Sequence, residues 1–141
     1  MKRIMGLDVG DRTIGIAFSD LMKITAQGYK TLIRESNKKD IDELKKLVEE
    51  KDVDTIVFGL PKNMNGTVGP QGEKVIAFSK KVSNKIEGIK IEFWDERLTT
   101  VAATKSLIEG DVSRKKRKKV VDMLAASLIL QGYLDRLKNM F

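Results

Sequence analysis

The amino-acid sequence predicts an α/β domain in which helices flank a five-stranded mixed sheet. Three extended segments come first, and two further strands alternate with helical patterns, which gives the element order βββαβαβαα. Strands joined by short turns pair in an antiparallel manner, whereas strands separated by a helix pair in parallel through a crossover. The length of 141 residues is typical of one domain, so we expect a single domain over residues 1–141.

The three leading strands are indicated by short apolar runs rich in β-branched and aromatic residues. Arg3 to Val9 is the first run, and Ile14 to Ser19 is the second. The turn-like segment Gly-Asp-Arg-Thr at 10–13 separates them, so we expect a hairpin. A third extended stretch lies around Ala26 to Ile33.

The middle of the chain predicts a helix, a strand and a functional loop. Ser36 can cap a helix whose apolar face recurs at helical spacing between residues 41 and 48. Val53 to Leu60 is a near-continuous apolar segment typical of a buried central strand. Pro61 to Gly72 is rich in turn residues and follows that strand, where open α/β sheets bind ligands. We therefore expect this loop to face the functional site.

The remaining elements follow the same two periodicities. Apolar residues between 75 and 86 predict a second helix, and alternation over 89–93 predicts a fifth strand that ends at 95–97. A third helix is expected from Thr99 or Thr100 to Gly110, and a last helix from about Val120 to Lys138. Residues 114–119 are six consecutive basic residues, whose mutual repulsion favours a solvated, mobile segment before the last helix.

The composition excludes several kinds of chemistry. The chain has no cysteine, which excludes disulfides, thiolate metal sites and a cysteine nucleophile. It also has no histidine, the commonest general base and nitrogen ligand. The net charge of +7 attracts polyanions. No apolar run approaches the ~18 residues of a membrane span, and Asp8 stands where a secretory signal would need apolar residues, so we expect a cytoplasmic protein without a membrane partner.

Three acidic positions point to catalysis. Asp8 lies in the first strand, with a glycine two positions to either side that lets a metal or phosphate approach. Asp95 and Glu96 close the fifth strand, and because adjacent residues face opposite sides, only one can share the Asp8 site; Glu96 is favoured. Asp122 interrupts an apolar helical pattern and lines up with its packed face, where an unpaired carboxylate would be costly.

Each acid also has a purely structural interpretation. Asp8 could cap its own hairpin turn, and the pair Asp95-Glu96 could be a solvated strand end or an arginine partner. Asp122 could be a first-turn residue stabilised by the helix dipole.

Taken together, the acids form an oxygen-only ligand set. Such a set suits Mg²⁺ or Mn²⁺ rather than zinc. A pair of these ions can hold a phosphodiester, activate water and stabilise the leaving oxygen, so no histidine base is required. The absence of histidine is therefore compatible with catalysis.

Several polar side chains could contact the phosphates of a nucleic acid. The basic run is equally compatible with a solvated loop when considered alone. Trp94 could stack on a base, although a core position is more usual. The candidates for phosphate contacts are Arg12, Lys62, Asn63, Arg97, Arg114, Lys115, Lys116 and Arg117.

Four segments of the chain resemble the YqgF/RuvX family. They are GLDVGDRTIGIA at 6–17, GLPKNMNGT at 59–67, DERLTT at 95–100, and Asp122 followed by Ala125-Ala126 and Leu130-Gln131. The resemblance covers essentially the whole chain. It implies a ribonuclease H-like fold similar to Holliday junction resolvases and a nuclease that matures the 5′ end of 16S rRNA. It also implies that Asp8, Glu96 and Asp122 are the metal-binding catalytic set.

Other functions remain open at this point. The closest rival substrate is branched DNA, since shape and phosphate spacing would guide recognition of either nucleic acid. An actin-like phosphotransferase would need a second similar domain, for which the chain is too short. A binding module without chemistry would fit the basic run but not the acids. The sequence is compatible with a monomer or a homodimer, and a four-way junction would favour a symmetric dimer.

Overall fold

The computed structural model describes residues 1–99 and 114–140. The helix expected from Thr99 or Thr100 to Gly110 lies outside the described residues, except for Thr99 itself. A single 3-10 turn, Glu96–Leu98, follows the fifth strand. The other elements are, in chain order, β1 (Arg3–Val9), β2 (Thr13–Ser19), β3 (Ala26–Ile33), α1 (Asn37–Glu50), β4 (Val53–Leu60), α2 (Pro70–Lys85), β5 (Lys90–Asp95) and α3 (Arg114–Asn139).

The strands form the expected mixed sheet, in the order β3-β2-β1-β4-β5. The strands β1, β2 and β3 pair as an antiparallel meander, and β4 and β5 continue the sheet parallel to β1. The β1–β4 and β4–β5 connections contain α1 and α2, as parallel pairing requires a crossover. β1 therefore lies at the centre, with an antiparallel neighbour on one side and a parallel neighbour on the other.

The alternation of side chains along β1 divides the molecule into two layers. Met5, Leu7 and Val9 point into the core that α1 and α2 cover. Ile4 points to the opposite face, where it packs with the apolar side of α3. Asp8 has the same parity as Ile4 and Gly6, so its carboxylate lies on the face that α3 covers.

α3 lies very close to the sheet because two strand residues lack side chains. A Cβ at Gly6 would lie 2.7 Å from the Leu130 Cβ, and a Cβ at Gly15 would collide with the Asp122 carbonyl oxygen. At Gly6 and Gly15 the strands therefore approach α3 more closely than a residue with a side chain would allow. Trp94 is buried in the same layer beside Gly132, so it is a core residue.

The start of the last helix differs from the expectation. α3 begins at Arg114, not near Val120, so the basic run 114–119 has a helical backbone and is not a separate loop. Lysine and arginine are good helix formers, and a helix already fixed by packing extends cheaply, one hydrogen bond per residue. These two effects outweigh the repulsion on which the expectation of a solvated segment depended. In the described part of the chain, no helix combines the length and apolar content needed to cross a bilayer.

Replacing Gly15 by alanine should destabilise the fold. The new Cβ meets the Asp122 backbone, which cannot rotate away, so we expect a loss of about 1–3 kcal/mol in the free energy of unfolding, as for other overpacked sites. Urea denaturation measures this loss. Ser83→Ala is the control, because Ser83 is exposed in α2 and a surface substitution of this kind changes stability by about 0.5 kcal/mol or less. Equal stability of the two variants would contradict close contact between α3 and β2.

Candidate functional site

Asp8 lies between two glycines on neighbouring strands. In the β1–β2 register Asp8 pairs with Gly15. On the other side Leu7 pairs with Phe58, and the same parallel register continued by one residue brings Asp8 beside Gly59. Adjacent strands are about 4.8 Å apart, so the Asp8 side chain has no bulky lateral neighbour on the sheet. The residue is 9% exposed.

Glu96 reaches the same face from the end of β5. It begins the 3-10 turn, and its Oε1 lies 2.8 Å from the position that a Cβ at Gly59 would occupy. Gly59 lies on β4, between Asp8 on β1 and Glu96 at the end of β5, so the two carboxylates lie on the same face of the sheet with β4 between them. Glu96 is therefore the member of the acidic pair that shares the Asp8 site.

Asp122 completes the set from the opposite side. Its backbone rests on Gly15, and its Oδ2 accepts a hydrogen bond from the hydroxyl of Thr13. Asp122 follows Arg114, the first residue of α3, by eight positions, which is more than two helical turns. A stabilising interaction with the helix N-terminus falls off within the first turn, so it does not explain this carboxylate.

The three acids line one cleft. Its volume is about 510 Å³, within the range of roughly 300–1,000 Å³ typical of ligand sites. Among residues 1–99 and 114–140, no three acidic side chains are arranged to enclose a single ion. Besides Asp8, Glu96 and Asp122, the lining consists of a fourth acid, Asp11, and of Val9, Gly10, Arg12, Thr13, Pro61 and Gln71.

Asp95, the alternative to Glu96, has a different role. Its Oδ1 accepts the Arg97 N–H at 3.0 Å and so caps the 3-10 turn, and its Oδ2 lies 2.8 Å from Arg97 Nη2. The hydrogen bonds from the Arg97 side chain are the main cause that lowers the pKa of Asp95 below the usual aspartate value. Asp95 is thus held as an ionised partner of arginine and does not line the cleft.

Arg97 also connects the strand end to the loop after β4. Its Nη1 donates to the carbonyl oxygens of Met64, at 3.2 Å, and Asn63, at 3.4 Å. The same loop is closed by a hydrogen bond of 2.9 Å from Asn63 Nδ2 to the Thr67 hydroxyl. Most of the donors on the Arg97 guanidinium are therefore engaged within the protein, which the sequence alone did not indicate.

Of the other predicted phosphate contacts, Arg12 lines the cleft. Arg12 is exposed at its rim, and Lys62 is half-buried at the start of the loop that Arg97 holds. For Arg114, Lys115, Lys116 and Arg117, only the backbone lies within the described structure. Thr13, which the sequence marks only as a turn residue, proves to be the hydrogen-bond partner of Asp122.

Comparison with known proteins yields one family and one fold. The family model described as RuvX, Holliday junction resolvase, matches residues 2–136. A Clostridioides difficile protein is 69% identical over 133 residues, covering 94% of each chain. A Clostridium botulinum (strain Hall) protein is 59% identical over 137 residues, covering 97% of this chain and 99% of the relative. Both relatives are provisionally named pre-16S rRNA nuclease.

Solved structures identify the fold. RuvC from T. thermophilus in complex with a Holliday junction substrate aligns with a TM-score of 0.59 at 9% identity, covering 98% of this chain and 97% of that chain. The fowlpox virus resolvase in complex with Holliday junction DNA aligns with a TM-score of 0.55 at 13% identity, covering 96% and 98%. The expected ribonuclease H-like fold is thereby confirmed.

Replacing Arg97 by glutamine should raise the pKa of Asp95 towards the usual aspartate value, because its main hydrogen-bond donor is lost. A lowered pKa in the folded state adds stability above the unfolded pKa, and this contribution is lost as the pH falls through the folded value. The stability difference between wild type and variant should therefore be present at neutral pH and vanish in acid. Carbon-13 NMR titration of the carboxyl groups, with urea unfolding at each pH, measures both effects.

Asp20 is an internal control for this titration. Its pKa is lowered chiefly by hydrogen bonds from the Thr25 and Ile24 N–H groups, which the substitution does not touch. It should titrate identically in both proteins. An unchanged Asp95 titration in Arg97→Gln would show that arginine is not the cause.

Proposed function

Since the chain belongs to the RuvX Holliday junction resolvase family, we propose that it is a nuclease that hydrolyses phosphodiester bonds in the cleft lined by Asp8, Glu96 and Asp122. One observation carries this proposal. Asp8 on a central strand, Glu96 at the end of an edge strand and Asp122 on the last helix line a single cleft, together with the exposed Asp11. No packing requirement brings carboxylates together, because like charges repel and a buried charge is costly.

Precursor 16S rRNA is the substrate that we propose, with cleavage at its 5′ end during ribosome biogenesis. The support comes from relatives that are 69% and 59% identical over nearly the whole chain and are named for that activity. The net charge of +7 supports a polyanionic substrate. Because precursor rRNA is the substrate, we also propose that the protein acts in the cytoplasm.

A divalent metal, Mg²⁺ or Mn²⁺, is the cofactor that we propose. The chain contains no histidine or cysteine, so the site offers only oxygen ligands, which suit these ions. Magnesium is usually held by one or two carboxylates, with water and substrate phosphate completing its shell, so a cage of three acids is not required. Asp8, Glu96 and Asp122 would supply the carboxylates. The bound metal would activate water and stabilise the leaving oxygen.

The protein's own groups would orient the substrate and the acids. Asp8 is fixed by the central strand, and the Thr13 hydroxyl fixes the direction of the Asp122 carboxylate. Arg12 at the rim could pair with a phosphate next to the scissile one, as could Lys62. Positioning of this kind lowers the barrier because reacting groups need not be ordered during the reaction.

Branched DNA is the second substrate candidate. The observation that favours it is the match to a family described as Holliday junction resolvases. In that case a symmetric homodimer would place two clefts on the two strands to be cut, whereas an rRNA precursor needs only one cleft and a monomer would suffice.

Asp8→Asn, Glu96→Gln and Asp122→Asn should each lower cleavage by at least about a thousandfold, the scale expected for loss of one essential group. Binding of the substrate should stay the same or tighten, because each change removes negative charge beside the phosphates. Single-turnover cleavage in Mg²⁺ and binding in Ca²⁺ measure the two effects separately.

Asp135→Asn is the matched control for the helix residue. It removes the same charge from the exposed end of α3, where Asp135 accepts a hydrogen bond from Gln131 within the helix. Its cleavage rate should equal that of the wild type. A normal rate in any of the three cleft variants would refute the assignment of that residue.

A direct comparison of substrates separates RNA from DNA. The wild type should cleave a precursor 16S rRNA fragment at its 5′ side faster than a four-way DNA junction at the same Mg²⁺ and salt concentrations. The Asp8→Asn protein identifies any contaminating nuclease. Faster cleavage of the junction would favour the alternative, and inertness toward both would reject the proposed activity.

A further inference from the structure

A buried ion pair between Arg34 and Asp40 lies next to the turn that follows β1. Asp40, in the first turn of α1, is 2% exposed. Its Oδ2 accepts a hydrogen bond of 3.0 Å from Arg34 Nε, and its Oδ1 accepts one of 3.0 Å from the Glu35 N–H. Both carboxylate oxygens therefore have donors, and the pair can stay charged inside the protein.

Arg34 reaches from this pair to both sides of the turn at residues 10–13. Its Nη1 donates to the Gly10 carbonyl at 2.9 Å, and its backbone N–H donates to the Arg12 carbonyl at 2.9 Å. The turn itself is closed by a hydrogen bond of 2.8 Å from the Gly10 N–H to the Thr13 carbonyl. One residue outside the cleft thus fixes the backbone that carries Arg12 and Thr13.

The guanidinium is held rigidly. Its Nη2 donates to the Asn37 side chain at 2.8 Å, and its central carbon lies 4.8 Å from the centre of the Phe78 ring. A planar group with donors in three directions can make these contacts at once, whereas a lysine ammonium cannot. Replacing a buried ion pair by apolar residues often costs no stability, so stability alone is a weak reason for this arrangement.

We propose that Arg34, oriented by Asp40, is a positioning residue for the cleft. It sets the turn so that the Thr13 hydroxyl meets Asp122 and Arg12 stands at the rim. This inference rests on the proposed nuclease function, because its catalytic consequence is measured as cleavage. Neither Arg34 nor Asp40 lines the cleft, so both act through the turn.

Arg34→Lys keeps the charge next to Asp40 but loses the fork that reaches Gly10. We expect the turnover rate on the RNA substrate to fall about 10–100-fold, the usual effect of losing a group that orients a metal-binding side chain. The KM should change less, because the backbone N–H at position 34 still holds the Arg12 carbonyl. Asp40→Asn should change turnover in the same direction, since it preserves shape and removes the orienting charge. Glu35→Gln is the control, because the Glu35 side chain is 65% exposed and pairs with the exposed Lys39, so this variant should cleave at the wild-type rate.

Amide hydrogen exchange tests the positioning without any activity. In Arg34→Lys, exchange at the Gly10 N–H should accelerate at least about tenfold, because its bond to Thr13 opens more often. The Leu44 amide in α1 and the Leu130 amide in α3 should exchange as in the wild type. Acceleration at all of these sites would indicate general destabilisation and overturn the proposal, as would wild-type exchange at Gly10.

The two measurements distinguish the possible failures. A wild type that cleaves neither substrate rejects the nuclease function, while local acceleration at Gly10 would still support the role of Arg34 in fixing the turn. Local acceleration combined with unchanged turnover in both variants would overturn the link between the turn and catalysis.

Discussion

The contact between the backbone of α3 and Gly15 of β2 is the constraint on which the site depends. Asp122 stands on a helix and Asp8 on a strand, and ordinary helix–sheet packing would keep their backbones apart by the thickness of a side chain. Gly15 is the direct partner of Asp8 and has no side chain, so the helix can lie against β2 beside Asp8. Packing thus positions Asp122, so its carboxylate can be exchanged for an amide without removing the force that holds the helix there.

The same principle operates on the other side of Asp8. Gly59 leaves room for the Glu96 carboxylate. At the 3-10 turn the consecutive acids differ, because Glu96 lines the cleft and Asp95 pairs with Arg97. Asp95 is bound by Arg97, which offsets the charge repulsion that a further carboxylate would add beside Asp8, Glu96 and Asp122. Arg97 also binds the loop after β4, by donating hydrogen bonds to the carbonyl oxygens of Asn63 and Met64. Gly15 and Gly59 therefore leave the space that the acids of the cleft occupy, and Arg97 neutralises the neighbouring Asp95.

Much of this arrangement could be predicted from the sequence, and the remainder could not for identifiable reasons. Periodicity located all five strands, and the topology of a mixed sheet predicted that Asp8 and a later strand end would meet. The choice of Glu96 needed the turn geometry after β5, which strand alternation indicated only in part. The partner of Asp122 is Thr13, 109 positions away, and no local pattern encodes such a pairing. The expected start of α3 near Val120 is wrong, because the helix propensity of lysine and arginine outweighs the repulsion between neighbouring charges.

Two arginines near the cleft are paired with aspartates and are therefore poor candidates for binding phosphate. Arg34 and Arg97 bear charges that are largely matched by Asp40 and Asp95, and their donors hold backbone carbonyls. Each of these pairs contributes nothing to the net charge of +7, and its arginine releases few counterions when a nucleic acid binds. Attraction to phosphate must come from side chains at the surface, such as Arg12 at the rim of the cleft. A count of basic residues near the acids therefore overstates the number of phosphate contacts, and the salt dependence of binding should be smaller than that count implies.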